Sequence, residues 1–187
     1  MATGSNNVAN VSTTKGVSGG YFFSAPAGTT LPTDCSTALS ADYVCLGYVS
    51  DDGVTETIET DTTDLNDLNG DNVYTVTSSR TETIAATLME VSEAALKEIY
   101  GQDMVDTDAS GNLTVKHGSH ANPSRVYVLE LVLRDGRSWR QVVPAGQVTE
   151  VGELNIAAGE SAGRQVTITC NVDADGVSVY DYIEAVA

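Results

Sequence analysis

The stretch Gly159-Glu160-Ser161-Ala162-Gly163 has the G-x-S-x-G spacing that, in α/β-hydrolases, lifts a serine hydroxyl onto a tight strand-to-helix turn. The chemistry would be acyl transfer, with Ser161 as the nucleophile. It requires an apolar strand before the serine, a helix after it, and then an acid and a histidine further along the chain. Here the preceding Leu-Asn-Ile-Ala-Ala is a weak strand, and Arg164–Cys170 alternates as a strand rather than turning as a helix. Both histidines, His117 and His120, precede Ser161. The segment therefore reads as a glycine-flanked turn, and no enzymatic activity is predicted.

Two further stretches imitate sites. Asp106, Asp108, Ser110 and Gly111 fall at positions 1, 3, 5 and 6 of an EF-hand loop, but position 12 is His117 rather than a bidentate Glu, and a strand follows. A turn is the better reading. His117 and His120 have no carboxylate or thiol at metal-ligand spacing and read as exposed loop histidines. Cys35, Cys45 and Cys170 lack zinc spacing and read as small hydrophobes. No P-loop or dinucleotide fingerprint is present. No catalytic, cofactor or metal residue is predicted, and the expected cofactor set is empty.

The elements that position these segments are mostly strands. Tyr21–Pro26 is a short aromatic strand, and Tyr43–Ser50 is a second. Asp52-Gly53 punctuates the chain before Val54–Glu59, where Val54, Glu56 and Ile58 alternate with Thr55, Thr57 and Glu59. Asp61–Asp71, rich in Asp, Asn and Thr, reads as a long loop. Residues 72–89 read as one long or bent strand. Ser92 as N-cap and Gly101 as the closing residue frame one helix with a Val91/Ala95/Ile99 stripe and a Glu93–Lys97 pair. Residues 125–144 read as a hairpin with a type I′ turn at Asp135-Gly136. Its first strand is apolar on both faces except for Glu130, so both faces are expected to be covered. Residues 147–156, 164–172 and 177–186 add strands, with Asp175-Gly176 as a turn. The expected fold is mainly β, an antiparallel β-sandwich or barrel with one flanking α-helix. Residues 1–19, rich in Ser, Thr, Asn and Gly, are expected to form a flexible N-terminal arm, with residues 20–187 as one domain.

Charge narrows the function. The chain of 187 residues carries 26 acidic and 9 basic side chains, a net charge of −17. That excludes wrapping a nucleic acid, which requires Lys and Arg against phosphate. No Lys or Arg occurs between Lys15 and Arg80, an interval holding ten acids. The basic residues concentrate in 125–140. No apolar run is long enough to cross a membrane, and the first twenty residues lack the pattern of a secretory signal, so cytoplasmic synthesis is expected.

The order of elements from Leu46 to Gly101 resembles the major tail protein, or tail tube protein, of long-tailed, non-contractile bacteriophages. The pieces that carry the resemblance are Gly47–Gly53 (GYVSDDG), Leu68–Val73 (LNGDNV), Thr81–Leu96 (TETIAATLMEVSEAAL) and Ile99–Gly101 (IYG). The close match covers about a third of the chain. The Trp that family members often carry before the Gly-Asp step is replaced here by Leu68 and Asn69. The resemblance implies hexameric rings stacked into a hollow tube in the virion tail, assembled in the host cytoplasm. It implies DNA and a tape-measure protein in the lumen, and tail terminator and distal tail proteins at the ends. On this reading Thr55, Glu56, Thr57 and Glu59 line an acidic lumen that repels phosphate. Asp61, Asp64, Asp67 and Asp71 make ring–ring contacts, and Arg134, Arg137 and Arg140 supply basic interface partners. The alternative reading is a β-sandwich binding, adhesion or decoration module.

Overall fold

A computed structural model describes residues 5–186. The first four residues of the expected arm, and Ala187, lie outside the described residues. The strands are β1 (Thr14–Gly16), β2 (Phe22–Pro26), β3 (Val44–Cys45), β4 (Val49–Asn66), β5 (Asn72–Leu88), β6 (Val105–Thr107), β7 (Leu113–Val115), β8 (Arg125–Leu133), β9 (Ser138–Val151), β10 (Arg164–Asn171) and β11 (Tyr180–Ile183), with helix α1 (Glu93–Tyr100) after β5. The main sheet runs β3-β2-β8-β9-β10-β5-β4, with β1 on β8 and β11 on β9, and β6 and β7 form a separate ladder. All pairs are antiparallel. The chain is thus mainly β with one helix, as expected. Within the expected arm, Thr14–Gly16 pairs with Leu131–Leu133 of β8.

The helix forms as its sequence dictates. The Ser92 hydroxyl accepts the Ala95 amide, and the Gly101 amide closes on the Lys97 carbonyl at φ 105°. Ala95 and Ile99 are buried against the sheet, whereas Val91, just before the helix, is exposed. The main core gathers Phe22, Leu46, Leu88, Tyr127, Val166 and Ile168, among others, beneath the helix. A second cluster of Ala25, Tyr43, Val126, Val128 and Val142 lies on the other face of β8, covered by Leu31, Leu39 and the β11 tyrosines. Both faces of β8 are therefore covered, and by the chain's own residues.

Four expectations are corrected. First, the long loop 60–71 is mostly strand. β4 runs to Asn66, and Asp61 and Asp64 pair with Ser79 and Thr75 of β5, leaving a turn of only Asp67–Asp71. A continuous ladder opposite the Thr- and Val-rich β5 overrides the weak strand propensity of Asp and Asn. Second, Asp52-Gly53 does not separate two strands. It belongs to a bulge inside β4, where pairing jumps from Val49↔Leu88 to Val54↔Ala86. Third, residues 138–151 form one strand through Pro144. The register of β8 against β9 shifts between Arg125 and Tyr127, beside the residue that cannot donate.

Fourth, the turn at Asp135-Gly136 is not type I′, whereas Asp175-Gly176 is a turn as expected. Among the described residues none other than Gly has positive φ, so the first central residue of a type I′ turn is not available. Instead the chain uses one five-residue turn four times. In each, the glycine amide returns to the carbonyl three residues earlier, and the first residue's amide takes the carbonyl of the fifth: Asp67–Asp71, Asp108–Asn112, Leu133–Arg137 and Asp173–Val177. The fourth position is always Gly, at φ 79–92°. In three of them the leading Asp accepts the third and fifth amides through Oδ1. Asp67 and Asp173 are held below the ordinary carboxylate value of 3.8 chiefly by those amides, and Asp108 chiefly by the Asn112 side-chain amide with the same backbone amides adding to it. The apparent EF-hand loop is one of these turns, joining β6 to β7.

Candidate functional site: a threonine-rich sheet face and a projecting arm

Strand register sorts the side chains of β9, β10, β5 and β4 onto two faces. Opposed residues share a face, and alternate residues switch it. Ile84, Ala86, Leu88, Val166 and Ile168 point into the core. The opposite face carries the row Gln147–Thr169–Thr83–Thr57, and beside it Glu150–Thr167–Ala85–Thr55. Thr149 Oγ1 and Thr169 Oγ1 are 2.8 Å apart on this face. Glu59↔Thr81 and Gln165↔Thr87 extend it. The face is a broad polar surface of hydroxyls and amides with acids at its margin and no Lys or Arg.

Of the four expected lumen residues, Thr55, Thr57 and Glu59 lie on this face. Glu56 does not. It shares the core-side face with Val54 and Ile84, and its carboxylate accepts the Gln141 amide at 2.7 Å. It also sits near Glu82, which is 5% exposed, paired with Arg80 at 3.0 Å and hydrogen-bonded by Ser178. The surrounding protein pushes the Glu56 carboxyl above the ordinary 4.5, and its hydrogen bond to Glu82 adds to that rise. Burial also acts to raise Glu82, but hydrogen bonds from Ser178, Glu56 and Arg80 outweigh it and hold Glu82 below 4.5. A group with a raised folded pKa contributes stability below its unfolded value and loses it as pH rises through the folded one. Glu56→Gln is therefore expected to raise the melting temperature at pH 7 and to leave it nearly unchanged at pH 4. Thermal denaturation at the two pH values checks this.

The second feature is the end of the β4–β5 hairpin. β10 leaves β5 at Thr83, so beyond that point the two strands have no further neighbour. From Glu59 through Thr81 every residue is exposed. The arm projects roughly 30 Å at the usual strand rise. Leu65 opposes Tyr74, and Thr63 opposes Val76, so Leu65, Tyr74 and Val76 share one face. They are 61%, 64% and 47% exposed, and Leu68 at the tip is fully exposed. The other face pairs polar residues, with Thr75 Oγ1 donating to Asp64 at 2.7 Å. An isolated two-stranded ribbon is marginal in water, and this one leaves an apolar face uncovered within the subunit. The four acidic candidates divide accordingly. Asp61 and Asp64 stand on the arm, and Asp67 and Asp71 stand in its tip.

The three basic candidates also divide. Arg140 is 5% exposed, donates to Glu130 at 2.6 and 3.1 Å, and caps the carbonyls of Asp34 and Thr37. Its charge is spent inside the subunit, which leaves it buried rather than at an interface. Arg137 is held by Asp135 at 2.7 Å and by the Glu184 carbonyl. Arg134 is exposed, and among the described residues its guanidinium makes no ion pair. The signal for Arg140 was in the sequence: Glu130, alone in an apolar strand, required a buried cation opposite it.

Sequence reasoning missed the group that locks the helix. Glu98 is 3% exposed. It accepts from Ser24 Oγ and Tyr127 OH at 2.8 Å each, and pairs with Arg125, 12% exposed, at 2.8 Å. Burial and the neighbouring Glu98 charge drive the Tyr127 hydroxyl far above its ordinary value of 10.0. Ser161 follows the turn Ala157–Glu160, which Gly159 makes at φ 87°, and irregular backbone then leads into a strand rather than a helix. Among the described residues no group of His, Cys, Asp or Glu is placed to hold a metal ion.

A polar sheet face free of cations, backed by a core and flanked by a projecting ribbon, is a geometry for assembly. The family comparison decides which assembly: the phage tail tube protein model matches residues 6–186. The chain belongs to the phage tail tube protein family. It is accordingly a structural component of the virion tail, and the family implies self-assembly into a tube and association with other tail proteins. No curated protein matches the sequence. Among solved structures, it is similar to a chain of the anti-feeding prophage cap, described as a tube terminating cap. The identity is 13% and the TM-score 0.47, covering 98% of this chain and 100% of that chain.

Proposed function

We propose that the subunit assembles into rings, hexameric in the family's manner, that stack into a hollow tube with the β9-β10-β5-β4 face turned to the lumen. The observation that carries this reading is the composition of that face. Four adjacent strands present threonine and glutamine with Glu59 and Glu150 at the margins, and no cation. Such a wall offers phosphate no partner, so DNA passes without being held. The exposed edge of β4 is satisfied when the next copy continues the sheet around the ring, because closure removes strand edges. The β4–β5 arm then spans to a neighbouring copy or ring and covers Leu65, Tyr74 and Val76. A tape-measure protein within the lumen, and terminator and distal proteins at the tube ends, are the expected partners.

Negative-stain electron microscopy of the purified chain tests the reading. Rings or tubes with a central hole are the expected result. A compact monomer at every concentration, engaging a glycan or another protein, would favour a binding or decoration module instead.

A further inference from the structure

Nine basic residues serve this chain, and six are consumed internally. Arg80, Lys97, Lys116, Arg125, Arg137 and Arg140 each pair with an acid of the same subunit. Arg164 does not. Its guanidinium lies 5.2 Å from the centre of the Tyr100 ring, and its Nε is buried without a hydrogen-bond partner. The His117 ring packs against Tyr100, 4.6 Å between centroids. Arg164, His117, Lys116 and His120 line one open cleft of about 530 Å³ beside the C-terminal half of β9, and no carboxylate stands on its wall. Lys116 is already neutralised by Asp106 at 2.6 Å, so in a chain of net charge −17 the notch at this edge of the four-stranded sheet owes its positive charge to Arg164.

The other edge is acidic at the same level. Arg164 opposes Leu88, and Leu88 opposes Val49, so the notch and the start of β4 stand on one row of the ladder. Immediately after Val49 comes the bulge, which takes Asp51 and Asp52 out of the β4–β5 ladder, Asp51 on the rim of an open groove that Lys15 also lines. Both are exposed, and their carboxylates are bonded only by the Ser50 hydroxyl, at 3.4 and 3.1 Å. Among the described residues neither makes an ion pair. We propose that the notch around Arg164 receives the Asp51–Asp52 bulge of the next copy, so that each ring closes through a charge-matched edge contact. This rests on the ring reading above. A cyclic interface joins different patches of identical subunits, which is what two opposite edges of one sheet with opposite charge provide.

The test compares four chains: the parent, Arg164→Glu, the double substitution Asp51→Lys/Asp52→Lys, and all three changes together. The bulge lies outside the core, so the double substitution leaves folding intact, and circular dichroism checks the Arg164 variant. Sedimentation then gives the concentration at which each chain polymerises. Each half-change is expected to raise that concentration roughly tenfold or more, and the combined chain to recover most of the loss. Polymerisation of the double-substituted chain at the parent's concentration would overturn the contact. So would a combined chain no better than its halves. A parent that never assembles would instead contradict the ring reading itself, before any variant is compared.

Discussion

Cutting the arm from the β4–β5 hairpin is expected to abolish polymerisation while leaving the subunit folded. Joining Glu59 directly to Thr81 through an Asn-Gly turn removes residues 60–80, all of them exposed, and keeps the paired row at which the hairpin leaves the body. None of the deleted side chains belongs to either core cluster. One tie to the body is lost, the Arg80 contact with Glu82 and Ser178. The guanidinium is about half exposed, but Glu82 is 5% exposed and keeps only its hydrogen-bond partners, so the loss is expected to cost on the order of 1–3 kcal/mol. Assembly has no such reserve. Leu65, Tyr74 and Val76 form an exposed apolar face on a two-stranded ribbon that has no support of its own. The truncated chain is expected to melt below the parent but still cooperatively, and to sediment as a monomer. Normal tubes from the truncated chain would show that the arm has no part in assembly.

The largest expected loss of stability comes from Glu98→Ala. The substitution strips Ser24 and Tyr127 of their acceptor and leaves Arg125 buried without its counter-charge. Removing one member of a buried pair typically costs about 3–5 kcal/mol, because the remaining charge is uncompensated. Glu98→Gln keeps an acceptor for the two hydroxyls and is expected to cost less, although Arg125 still loses its anion. Urea denaturation of the three chains gives the order: parent, then Glu98→Gln, then Glu98→Ala. The network joins α1 to β2 and β8, so its loss is expected to free the helix from the sheet before the rest unfolds.

The sequence made the local elements legible wherever a single residue type decides the outcome. Ser92 and Gly101 framed the helix because a hydroxyl cap and a positive-φ residue have few substitutes there. The alternation of residues 126–133 gave a strand covered on both faces, which Phe22, Leu31 and Tyr43 supply from distant parts of the chain. What local pattern could not give was pairing over distance. Residues 60–66 look like a loop by composition and are a strand because β5 lies alongside them. The division of Glu56 from Thr55 and Thr57 was present in their alternation, but which side is core follows only from β10 and β9 lying across β5. The basic patch 125–140 was compositionally correct and functionally misleading. Glu130, Glu98 and Asp135 consume Arg140, Arg125 and Arg137. Of the three cations with no ion pair among the described residues, Lys15, Arg134 and Arg164, the last stood alone in the sequence and gave no charge signal there.

The Thr57–Thr83–Thr169–Gln147 row is proposed to line a channel, and cryo-electron microscopy of the assembled polymer shows whether it does. A hollow tube whose inner wall is a continuous sheet bearing that row, with helix α1 on the outer side, is the expected result. A tube with α1 facing the channel, or a polymer with no channel, would contradict it.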